Sequence, residues 1–92
     1  MVLRVDLRFP ASHSLKEKRA LLRPIVEGIR SRFEASVAVT AHVEAWQRSE
    51  IGIALVSGEV APLERLADRI ERFVWQAPDT EVLTIERNWL ET

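Results

Sequence analysis

The chain contains no cysteine, which excludes disulfides, thiolate metal sites and thiol catalysis. Its 92 residues hold only three glycines, Gly28, Gly52 and Gly58, spaced too widely for a P-loop or a dinucleotide-binding turn. Imidazoles are as scarce, with His13 and His42 alone, and no carboxylate cluster joins them at metal-ligand spacing. Ser57-Gly58 lacks the flanking residues of a nucleophile elbow. No apolar run approaches the ~18 residues that mark a membrane span. Met1 to Asp6 alternates and meets charge at once, unlike a secretory signal. The expectation is a cytoplasmic, non-enzymatic protein with no cofactor, no metal and no membrane association.

What is present suffices for one domain spanning residues 1–92, with 47% hydrophobic residues to build one core. The net charge of −1 argues against an indiscriminate polyanion binder. The charges are nonetheless unevenly spread. Residues 1–48 carry nine Lys/Arg against five Asp/Glu, and residues 49–92 carry four against nine. Two arrangements follow from this: a basic face on a nearly neutral molecule, or a basic helix neutralised by an acidic neighbour.

Val2 to Phe9 alternates strictly, with Leu3, Val5, Leu7 and Phe9 on one side and Arg4, Asp6 and Arg8 on the other, as in a half-buried strand. Pro10 ends it. Ser14 and Glu17 form an S-x-x-E capping box. Leu22, Ile25, Val26, Ile29 and Phe33 then continue at helical spacing, so a helix is expected to about Ala35. Pro24 lies inside it, where a lost hydrogen bond and a clash with the Ala20 carbonyl cost ~3 kcal/mol, so a kink is expected. A second strand is read over Val37–Glu44, a short connection over Ala45–Ser49, and a third strand over Ile51–Val56. Pro62 suits only a first helical turn, which starts the second helix near Glu59–Ala61. Leu63, Leu66, Ile70, Phe73 and Val74 form its buried stripe, and Val82–Leu90 is the last strand. Trp75 and Trp89 are assigned to packing.

Strand, helix, strand, strand, helix, strand gives an α+β fold: a ferredoxin-like βαββαβ sandwich, with a four-stranded antiparallel sheet and two helices on one face. The alternation puts Arg4, Arg8, Thr40, His42 and Trp46 on the face that the helices leave open.

With these elements in place, the chain resembles the YlxP-like family of small bacterial proteins of unknown function. The resemblance spans nearly the whole sequence. It rests on Ser14-Leu15-Lys16-Glu17-Lys18-Arg19, Arg32-Phe33, Ser36-Val37-Ala38, and Trp46-Gln47-Arg48 running into Glu50-Ile51-Gly52. Thr40 and Ala41 depart from it, standing where acidic residues are usual. The resemblance implies a ferredoxin-like fold and a cytosolic protein, often encoded beside translation-initiation and ribosome-maturation genes. It supplies no catalytic residues.

Two partner classes are open. Lys16, Lys18, Arg19 and Arg23 crowd the first turns of helix one, where free N–H groups also favour anions, and Trp46 and Arg48 offer a stacking contact. Together they suit a phosphate backbone, so RNA or a ribosomal particle is the expected partner. In Gly52-Ile53-Ala54-Leu55-Val56, Ile53 and Leu55 fill the two ring positions of the RNA-recognition motif, so base stacking on the sheet is not expected. The alternative is a dimeric interaction or regulatory domain that pairs its open sheet face with a second copy, or binds a small ligand there.

Overall fold

In a computed structural model that describes residues 1–89, the elements follow the expected order. They are β1 (Val2–Arg8), α1 (Leu15–Phe33), β2 (Ser36–Ala41), β3 (Arg48–Ala54), α2 (Val60–Trp75) and β4 (Glu81–Asn88). The strands form one antiparallel sheet in the order β2-β3-β1-β4, the ferredoxin-like arrangement. Leu90, the expected end of the last strand, lies outside the described residues.

Period-two alternation gives β1, one of the two inner strands, a fully buried face. Leu3, Val5 and Leu7 are fully buried and face Ile53, Ile51 and Ser49 of β3. On the other side Leu3 and Val5 face Arg87 and Ile85 of β4. Leu22, Ile25 and Ile29 of α1 and Leu63, Ala67, Ile70 and Val74 of α2 close over this row and complete the core. Arg87 also points to the helix side, donating to Asp68 and Glu71 of α2 and tying β4 to that helix. Those two hydrogen bonds, to Asp68 first, raise the Arg87 pKa above its ordinary value.

Ser14 caps α1 as expected, its hydroxyl accepting from the Glu17 N–H at 3.1 Å. The reciprocal bond is displaced by one residue: Glu17 accepts from the N–H of His13 instead of from the cap itself. The helix runs unbroken through Pro24. Ala20 and Pro24 are both exposed, so the carbonyl that Pro24 leaves without a donor faces water.

Several boundaries differ from the sequence reading. β2 stops at Ala41, with Thr40 as an extra residue in its pairing to β3, and β3 starts at Arg48. Trp75 and Trp89 are 62% and 44% exposed, which corrects their assignment to packing. Trp75 closes α2 on its solvent side, and Trp89 lies beyond the end of β4.

At Gly28 α1 comes close to α2: a Cβ there would clash with Cζ of Phe73. Gly28→Ala gains roughly 1 kcal/mol of helix propensity, but it must shift the Phe73 ring, which is packed edge to face on Phe33, and overpacking costs about 1–3 kcal/mol. A net loss of stability of about 1 kcal/mol is expected in urea denaturation, opposite in sign to the propensity effect.

Candidate functional site

The motif residues gather at one corner of the sandwich, where the β1–α1 and β2–β3 connections meet the start of α1. Lys18 organises it. The residue is 3% exposed, and its Nζ donates to the carbonyls of His42 (3.0 Å), Val43 (3.1 Å) and Arg48 (3.2 Å). An ammonium has three N–H donors, and three acceptors meet them here, as a buried charge requires. Burial, and after it the Arg19 charge, lowers the Lys18 pKa below the ordinary lysine value, and Glu44 partly offsets this.

This bonding explains the early end of β2. With the carbonyls of residues 42 and 43 both turned towards Lys18, His42 adopts φ 60, in the left-handed region, and the chain closes a turn with Ala45 N–H on His42 O. His42 therefore does not lie in the strand, a correction to its placement on the open sheet face. Trp46, 57% exposed, likewise sits in the connection beyond the sheet.

Gln47 fastens the same corner from the other side. Its Nε2 donates to Pro10 O and Ser12 O, and its own carbonyl accepts from Phe9 N–H. Arg48 follows on β3, with one terminal nitrogen donating to both oxygens of Asp6 at 2.9 and 2.7 Å. Lys18 is not free to grip a phosphate, because three carbonyls hold all its donors, and the charge of Arg48 is already paired with Asp6.

The open sheet face is a lattice of ion pairs. Arg4 lies 3.8 Å from Glu50 and 3.5 Å from Glu86, Arg8 lies 3.5 Å from Glu81, and Thr40 Oγ1 donates to Glu50 at 2.8 Å. Gly52 leaves room for Thr40, whose Cγ2 would lie 3.0 Å from an added Cβ. Ile53 and Leu55, the positions compared with aromatic stacking residues, are buried on the helix side.

The remaining cations divide cleanly. All four sheet arginines (Arg4, Arg8, Arg48 and Arg87) have a carboxylate within 4 Å. Among the described residues, none of the nine Lys/Arg of α1 and α2 does. The two helices hold those nine against five Asp/Glu, whereas the strands hold four against four. The basic surface is thus the helix layer. Lys16, Arg19 and Arg23 are exposed along one flank of α1 and line a shallow recess with Ala20. Arg19, Arg23 and Arg30 also border the groove between α1 and Val39 of β2, in which Glu27 takes part. This unpaired set was not separable from the paired one by sequence. Only the spacing 16, 19, 23, 30 on one helix flank hinted at it.

Among the described residues no helix is long and apolar enough to cross a membrane. The family model for proteins of unknown function named DUF503 matches residues 1–87. The uncharacterized protein YlxP of Bacillus subtilis (strain 168) is 33% identical over 76 residues, which span 83% of each chain.

Replacing Lys18 by Met keeps the stem and removes the ammonium, leaving three inward carbonyls without their donor. A loss of about 2–4 kcal/mol is expected in urea denaturation, allowing for partial rescue by water. Amide exchange at Ala45 and at residues 48–50 should rise with it.

Proposed function

The chain belongs to the DUF503 family of proteins of unknown function, and we propose that it is a non-enzymatic RNA-binding module whose contact surface is the α1 flank. The observation that carries this reading is the split among the cations: among the described residues, carboxylates neutralise those of the sheet and leave the exposed ones of the helices without an ion pair. Lys16, Arg19 and Arg23 recur at i, i+3 and i+7, so they follow one helix flank. A row of unpaired cations stands at a local cost to folding, which a polyanion relieves. Trp46, exposed in the corner beside this helix start, adds a ring on which a base can stack. A ribosomal particle would present the same phosphate chemistry.

A dimer through the open sheet face finds less support. Its residues Arg4, Arg8 and Thr40 already have partners across the sheet, so a second copy must desolvate existing ion pairs to bind there.

The reading is tested by fluorescence anisotropy with a short labelled RNA across a salt series. With three to five phosphates neutralised, log K should fall against log salt with a slope of roughly −2 to −4. Lys16→Gln, Arg19→Gln and Arg23→Gln combined should weaken binding by about tenfold or more. Arg4→Gln with Arg8→Gln should leave it unchanged. Binding indifferent to salt, or lost through the sheet pair and kept by the helix triple, would sink the proposal.

A further inference from the structure

On the opposite flank of the helix layer, Arg32 of α1 and Arg69 and Arg72 of α2 border a cleft of about 480 Å³. Phe33, Phe73 and Gln76 complete its lining, and among the described residues no carboxylate takes part. The Arg32 guanidinium lies 5.0 Å from the centre of the Phe73 ring, and that of Arg69 lies 5.4 Å from the centre of the Phe33 ring. The two rings meet edge to face at 5.8 Å and 67°.

A guanidinium held over a ring gains a cation–π attraction without spending its N–H donors. Among the described residues, Arg32 and Arg69 are thus placed beside the recess with no carboxylate partner. Arg69 and Arg72 are three residues apart on α2 and so stand on one side of it. Three like charges around one recess repel one another, and an anion would relieve this. This flank is separate from the row proposed for RNA. Arg19, Arg23 and Arg30 border β2, whereas Arg32 faces α2.

We propose that this cleft binds an oligophosphate chain, either inorganic or carried by a nucleoside. A guanidinium fork pairs two non-bridging oxygens of a phosphate in one plane. A single phosphate group carries a charge of at most about −2 and leaves one fork unmatched. Two linked phosphates supply enough oxygens and charge for all three, and the Gln76 amide offers a further donor.

Isothermal titration calorimetry of the whole chain with inorganic pyrophosphate, ADP and sulfate tests it. Saturable binding of pyrophosphate is expected, with sulfate weaker by at least about tenfold, since it engages fewer forks. Arg69→Gln with Arg72→Gln should weaken pyrophosphate by about tenfold or more, with the far-ultraviolet dichroism and urea midpoint retained. The Lys16, Arg19 and Arg23 triple should bind pyrophosphate as the parent does, which separates this site from the RNA surface. Equal affinity for pyrophosphate and ADP assigns the site to the phosphate chain alone, and tighter ADP binding adds a nucleoside contact; both support the proposal. Absence of saturation by either, sulfate binding as tightly as pyrophosphate, or indifference to the Arg69 and Arg72 changes would overturn it.

Discussion

The Lys18 ammonium, with its three donors on three backbone carbonyls, sets the geometry of the corner where the motif residues meet. It bridges residues 24, 25 and 30 positions away in the chain and so fixes where β2 must end and β3 begin. An uncharged side chain of the same length could not serve all three carbonyls, because a neutral amine or amide has only two N–H donors. Gln47 then closes the β1–α1 connection onto this turn, and Arg48 carries the closure to Asp6 of β1. Residues that are clustered in two short motifs are thus parts of one bracket between α1, β1 and β3.

The fold was legible in the chain because both of its periodicities are clean. Leu3, Val5, Leu7 and Phe9 alternate in β1, and Leu22, Ile25 and Ile29 repeat along α1, so element order and buried faces follow from local spacing. The β2–β3 connection was not legible for the same reason. Val39, Ala41 and Val43 keep alternating past the point where the strand ends, and nothing local signals a stop. The stop comes from Lys18, a residue on another element. Tertiary hydrogen bonding overrode a β pattern, placing His42 in a left-handed turn and Trp46 outside the sheet.

The candidate site was legible only in part, for an electrostatic reason. Sequence shows how many cations a segment has, not which of them will find a carboxylate. Lys16, Lys18, Arg19 and Arg23 look equivalent in the helix start, yet Lys18 turns inward while its neighbours stay in water. Arg48 has Glu44 and Glu50 near it in sequence, yet it is Asp6 across the sheet that receives it. The uneven charge of the two halves of the chain does not map onto two faces either. β4 carries Glu86 to Arg4 and Glu81 to Arg8, and α2 carries Asp68 and Glu71 to Arg87.

That redistribution reverses an intuition about open-faced sandwiches. A sheet side uncovered by helices looks like the surface reserved for a partner, but here its cross-strand ion pairs already satisfy one another. Exposed pairs of this kind contribute little to stability, about 0–1 kcal/mol each. Their larger effect is to cancel the field that the face would otherwise present. The helices run the opposite way: with Asp68 and Glu71 drawn to Arg87, nine Lys/Arg face only Glu17, Glu27 and Glu64, and among the described residues none has a carboxylate within 4 Å, so the layer carries an excess of positive charge. The covering layer, not the bare one, is where an anion gains most by binding.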